Sequence, residues 1–163
     1  MSQESVDVVR SINEPYEGRD VIPGMRAAVE QLGFDADPEA SLAYWAQDPL
    51  LRHVHPEVEW DAPLPGVSTA HGAADLLRWW GEWLDAWESY TVRVLAYQDL
   101  GDWVMTTNDI RARGRDGIEL GITNYQLWQV RDEKVVRVRI FFDESSAFAA
   151  ARSASRGDVA GER

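Results

Sequence analysis

With 163 residues, 45% of them hydrophobic, the chain is long enough to bury the core of one domain and cramped for two. It contains no cysteine, which excludes a disulfide framework, a thiolate metal site and a cysteine nucleophile. A formal charge of −12 argues against nucleic acid and anionic membrane as partners, because both are recognised by clustered lysine and arginine.

The N-terminal stretch from Met1 to Asp20 is polar and acidic, without the basic-then-apolar order of a signal peptide, and no segment approaches the ~20 apolar residues that span a bilayer. A cytoplasmic location is the expectation. Val6, Val9, Ile12 and Tyr16 recur at helical spacing, with Pro15 set to end or kink that helix. A second helix is predicted from Pro23 to Leu32, stopping at Gly33. Asp37, Pro38 and Glu39 combine a capping side chain, proline at the first helical position and an acid facing the macrodipole, which predicts a third helix from Pro38 to Ala46.

The first strand is predicted over Val58 to Asp61, where Val58 and Trp60 alternate with Glu59 and Asp61, and the run Ala62-Pro63-Leu64-Pro65-Gly66 ends it. A longer helix, Ala73 to Trp87, follows from Leu76, Leu77, Trp80, Trp83, Leu84 and Trp87. The period then switches to two. Tyr90 to Gln98, Trp103 to Arg113, Ile118 to Val130 and Val135 to Phe142 read as four strands joined by short links, hence an antiparallel meander. Asp143 caps a terminal helix from Glu144 to about Arg152, so residues 1–152 form one domain and 153–163 are expected to be a mobile polar tail.

Helices first and then about five strands is an α+β layout, with helices covering one face of a curved sheet. A homodimer through the other face is the economical way to cover it. Charge asymmetry is compatible with that: residues 1–110 carry six basic and twenty acidic side chains, residues 111–163 ten and eight. Solvated faces are the plainer explanation of the same asymmetry.

Several segments together resemble the SnoaL-like branch of the nuclear transport factor 2-like superfamily. They are His55-Pro56-Glu57-Val58-Glu59-Trp60 at the first strand, and His71-Gly72 leading to Arg78-Trp79-Trp80 and Trp83-Leu84-Asp85-Ala86-Trp87 in the central helix. Leu127 to Arg137 resembles the last hairpin, and Phe142-Asp143-Glu144 with Ala147 and Phe148 the exit into the terminal helix. The resemblance covers Val54 to Ala151 and extends to Ser2–Asp20, whereas Val21 to His53 is longer than the family pattern. It implies a cone-shaped fold with a hydrophobic pocket between the concave sheet and the helices, frequent homodimers and no cofactor. The superfamily includes ketosteroid isomerases, limonene epoxide hydrolases, scytalone dehydratases, polyketide cyclases and proteins that only bind, so the fold alone assigns no reaction.

Comparison with those active sites gives mainly departures. The isomerase's oxyanion tyrosine falls at Ile12 and its protonated acid near Gln126, while the hydrolase's acid-arginine-acid set falls near Asn108, Ile110 and Ile140. By the same alignment Thr106, Asn108 and Ile110 share one face, as do Asn124, Gln126 and Trp128, and Val138, Ile140 and Phe142. The expected ligand-binding residues are therefore Asn108, Asn124, Gln126 and Ile140, with Trp60, Trp80 and Trp83. Amides orient a ligand but do not titrate; each could equally be a satisfied core amide, and the tryptophan stripe equally core packing. Proton transfer would then fall to Asp61 or His71, with Glu59 behind them. If Val58 and Trp60 point inward, however, Glu59 and Asp61 face away.

His53, His55 and Glu59 have the spacing of a first cupin metal motif, with Gly66 in its place, but the second motif is missing and His71 is the one remaining histidine. The expectations are thus a cofactor-independent isomerase, cyclase, dehydratase or hydrolase acting on a small apolar molecule, without metal. The alternatives are a non-catalytic binding module with the same pocket and, behind both, a metal-dependent cupin.

Overall fold

The computed structural model describes residues 2–33, 37–62 and 68–160. Helix α1 (Ser2–Asn13) buries Val6, Val9 and Ile12, and Pro15 stands in a short 3-10 turn, Glu14–Tyr16, that turns the chain away. Helix α2 (Ile22–Leu32) ends where Gly33 takes a left-handed φ of 42°. Helix α3 (Pro38–Gln47) starts as its sequence dictates, with the Asp37 side chain accepting the Ala40 N–H at 3.1 Å. Ser41 Oγ bonds the carbonyls of Leu32 and Asp37, tying α3 to the end of α2. Buried Trp45 donates its Nε1 hydrogen to the Val54 carbonyl at 2.8 Å, which anchors α3 to the start of the sheet.

Strand β1 (Val54–Asp61) begins four residues earlier than the alternation at Val58 predicts. Pro56 hid that extension, since it has no N–H for a ladder; its register against the neighbouring strand shifts between Val54 and Glu59. A two-residue strand β2 (Ala70–His71) pairs antiparallel with Glu59 and Trp60. Helix α4 (Gly72–Asp85) stops short of Trp87, which belongs instead to strand β3 (Trp87–Asp99). Strands β4 (Val104–Gly114), β5 (Glu119–Arg131) and β6 (Lys134–Phe141) complete the meander. Between β5 and β6 the chain turns through Asp132 and Glu133 at φ 51° and 64°, the paired positive φ of a tight two-residue hairpin.

The sheet has six strands rather than five, in the order β2-β1-β6-β5-β4-β3, with β1 parallel to β6 and every other pair antiparallel. The architecture is α+β, with α1, α2, α3 and α4 packing toward one face around Leu76, Trp80, Val138 and Trp128. The segment between α1 and α2 runs along the free edge of β3: Gly18 N–H bonds the Val92 carbonyl, Val21 N–H bonds the Tyr90 carbonyl, and Asp20 forms a bridge with Thr91. That contact closes one flank of the space between helices and sheet.

The second sheet face is not left bare. Helix α5 (Glu144–Ala160) lies on it, with Ala147 and Ala151 against Trp103, Met105 and Leu127. It is longer than the helix to Arg152 expected from the sequence, and it covers the apolar part of the face that the sequence argument assigned to a partner. The remainder of that face carries Arg93, Asp109, Arg111 and Arg113, paired in register across β3 and β4 or with Glu119 of β5. Among the described residues no helix is long and apolar enough to cross a membrane.

Candidate functional site, an aromatic cavity between sheet and helices

Between the inner sheet face and the helices lies a cavity of about 190 Å³. Its floor comes from the sheet: Tyr90, Val92 and Val94 of β3, Asn124, Gln126 and Trp128 of β5, Ile140 of β6 and Trp60 of β1. Register explains why these meet, because Gln126 stands opposite Ile140, Trp128 opposite Val138, and Val138 opposite Trp60. Its roof is α4, which contributes Trp79, Trp80 and Trp83, and its remaining wall is shared by Ile12, Asn13, Tyr16 and Glu17 at the end of α1 and beyond it, Val21 and Met25 at the start of α2, and Leu50 and Val54.

The aromatic side chains are locked by one another. Trp60 makes edge contacts with Trp80 at 5.8 Å and with Trp128 at 6.1 Å between ring centroids. Trp83 stacks on Trp79 at 6.5 Å and meets Tyr90 edge-on at 4.5 Å. Pairs of this kind add about 0.5–1.5 kcal/mol each beyond the area they bury, so the walls are held before any ligand arrives.

Polar groups are few and unevenly engaged. Asn124 Oδ1 accepts the Asn108 Nδ2 hydrogen at 2.9 Å, and Asn108 and Trp128 both donate to Thr106 Oγ1. Gln126 lines the cavity, and among the described residues its side-chain amide has no hydrogen-bond partner. Tyr90 also lines it; burial pushes its phenol up to about 12. Tyr16 is raised as well, first by burial and then by the neighbouring Asp48 and Tyr44. Glu17 Oε2 accepts the Val94 N–H at 3.2 Å at the exposed end of the wall.

Of the residues singled out from sequence, Trp60, Trp80, Trp83, Asn124, Gln126 and Ile140 come together around this space. Asn108 does not line it: it is 1% exposed and lies beneath Asn124, which it holds. Asp61 and His71 do not line it either. With Trp60 turned inward, Glu59 and Asp61 project from the opposite sheet face, where Asp61 pairs with Arg139 at 3.7 Å and accepts Thr69 Oγ1. Glu59 lies 3.6 Å from exposed His71 and 3.5 Å from Arg137. The proposed cupin ligands do not converge: His53 ends a 3-10 turn with its pKa lowered by burial and by Arg52, His55 Nδ1 accepts the Glu57 N–H, and Glu59 has the partners just named. The sheet is open, not a cupin barrel.

Sequence reasoning passed over Tyr90, Val92 and Val94, although their period-two spacing marks a single strand face. It had no signal for Glu17, which reaches the wall only because its segment runs along the β3 edge.

A family model described as a SnoaL-like domain matches residues 36–138, more than half of the chain. No curated protein matches the chain. Among solved structures, a SnoaL-like polyketide cyclase from Jannaschia sp. CCS1, so described provisionally, is similar at 14% identity and TM-score 0.57, covering 91% of this chain and 92% of its own. A protein of unknown function with a cystatin-like fold from Xanthomonas campestris is 20% identical at TM-score 0.57, over 87% of this chain and 92% of its own. TerC, co-crystallised with polyporic acid, is 22% identical at TM-score 0.54, over 70% of this chain and 96% of its own. At these identities the likeness shows a shared fold.

Proposed function

The chain belongs to the SnoaL-like domain family, and from that premise we propose that its cavity binds a small, largely apolar organic molecule and orients it through one hydrogen-bonding group. The observation that carries this reading is Gln126: an amide facing an apolar, aromatic space with no hydrogen-bond partner among the described residues. Gln126 is half-buried, so a ligand carbonyl or hydroxyl would replace water at its amide, in a bond worth about 0.5–1.5 kcal/mol. Asn124, fixed by Asn108, and the Tyr90 phenol stand near enough to the same space to share that group.

Binding and orientation are what the geometry supports best. Acid/base turnover of the isomerase, cyclase, dehydratase or hydrolase type is the second reading, and it too has one observation behind it. Glu17 is the sole carboxylate on the cavity wall among the described residues, and its Oε1 is not used by the bond to Val94. Proton transfer in this cavity would therefore run through Glu17, with Tyr16 and Tyr90 as neutral donors, and not through Asp61 or His71. A homodimer remains a proposal as well, through the charged part of the outer face around Arg93 and Arg111; a monomer mass in light scattering would remove it.

Gln126→Leu tests the binding reading. It keeps roughly the same volume and removes the polar handle, so a carbonyl- or hydroxyl-bearing ligand followed by tryptophan emission should weaken by about 1 kcal/mol or more, with unchanged thermal unfolding. Unaltered affinity for every such ligand that the wild-type chain binds would sink it.

A further inference from the structure

The cavity wall has a charge character as well as a shape. Tyr16, Trp79, Trp80, Trp83 and Tyr90 present aromatic rings to the cavity, and the Glu17 carboxylate lines its exposed end, beside Val94. No lysine, arginine or histidine lines the cavity among the described residues. Of the cations near these elements in sequence, Arg10 lies over the Tyr97 ring at 4.5 Å, Arg26 reaches the Leu84 carbonyl and Asp85, Arg78 pairs with Asp75, and Arg19, exposed two residues from Glu17, does not line the cavity. The whole chain carries a formal charge of −12.

Ring faces carry negative quadrupole density, so an aromatic wall attracts a cation held within about 6 Å of a ring centroid, most strongly when the cation is poorly hydrated. The exposed Glu17 carboxylate at the open end adds an attraction that water and salt screen in part, so the aromatic rings carry the larger share. An anionic ligand meets the reverse: desolvation with no positive group to compensate it. From this we infer that the ligand is a cation, an alkylammonium carried on an apolar body, with the ammonium at Glu17 and the rings of Tyr16, Trp83 and Tyr90. The apolar body then extends toward Trp60 and Ile140, and its hydrogen-bonding group reaches Gln126. This inference rests on the binding role proposed above and adds the sign of the ligand's charge.

The test compares three molecules of nearly one shape, differing in charge, by tryptophan fluorescence titration of the full chain: phenyltrimethylammonium, tert-butylbenzene and benzenesulfonate. Phenyltrimethylammonium is expected to bind about tenfold or more tighter than tert-butylbenzene, and benzenesulfonate more weakly than either. Glu17→Gln should shrink the ratio between the first two severalfold, a comparison made within one variant and so insensitive to its folded fraction. Equal binding of the cation and its neutral isostere, or preference for the sulfonate, overturns the charge assignment while leaving the apolar pocket standing. Failure of all three to bind removes the pocket reading and this inference with it.

Discussion

Asn108 donates its Nδ2 hydrogen to Asn124 Oδ1 at 2.9 Å, directly opposite it in the register of β4 and β5. The two residues thus divide a role that sequence assigned to each separately. Asn124 reaches the cavity, whereas Asn108 lies behind it and, with Thr106 and Trp128, fixes how it is presented.

Replacing Asn108 by leucine should therefore act on stability before it acts on binding. The change removes the donor from Asn124 Oδ1 and inserts a branched apolar chain at a position 1% exposed. Loss of a buried bond that strands its partner costs about 1–3 kcal/mol, to be read as a lower midpoint in urea unfolding at unchanged slope. An unaltered midpoint would show that Asn124 is satisfied without it.

Asp61→Asn and His71→Ala should leave ligand affinity where it is. Both side chains lie off the cavity, and the Asp61 and Arg139 side chains are 32% and 26% exposed at a separation of 3.7 Å. Half-exposed pairs of this kind contribute about 1 kcal/mol or less, so the stability cost should be similarly small. A tenfold loss of binding in either variant would return proton-transfer candidacy to the outer face.

What was legible in the sequence was periodicity. The alternation in β4 and β5 placed Thr106, Asn108, Asn124 and Gln126 on one face, whereas the parity of β1 was open in the sequence and is decided by the inward Trp60. Misreadings came where two periods coincide or where contact is nonlocal. Trp80, Trp83 and Trp87 continue a helical spacing, yet no glycine or proline marks the helix end at Asp85, so Trp87 read as helix while it opens β3. Its ring still meets Trp83 at 6.2 Å and Tyr90 at 5.5 Å, which keeps the same neighbours by a different backbone route. Glu17 at the cavity wall and α5 on the outer face depend on tertiary placement, and neither leaves a local pattern.

The placement of α5 has its own test. Ala147 is fully buried against the apolar side chains of Trp103, Met105 and Leu127. Ala147→Asp would bury an unpaired charge, so α5 is expected to lift from the sheet, lowering stability by about 3 kcal/mol or more and raising binding of an apolar dye. Wild-type unfolding together with wild-type dye binding would mean that the helix does not cover this face.

Tyr90 ties the stability of the fold to alkaline pH. Burial raises its pKa from 10.0 to about 12, so the folded chain keeps the phenolic proton over a range in which the unfolded chain has released it. As pH rises past 10, deprotonation favours the unfolded state alone, and the stability associated with this group falls until the folded phenol also ionises near 12. Two units correspond to about 2–3 kcal/mol, present in full below pH 10 and lost above it. Tyr16, Tyr44 and Tyr97 are raised too, so the useful comparison is between the wild type and Tyr90→Phe, which keeps the ring that meets Trp83 at 4.5 Å and removes the titrating group. Urea unfolding should show the two chains with parallel pH dependence up to about pH 10, and a steeper decline for the wild type beyond it. Phenolate absorbance should show one late-titrating tyrosine in the wild type that is missing from the variant. Parallel stability curves throughout the alkaline range would mean that the Tyr90 hydroxyl is in contact with solvent, and the cavity wall at β3 would then be open where the structure closes it.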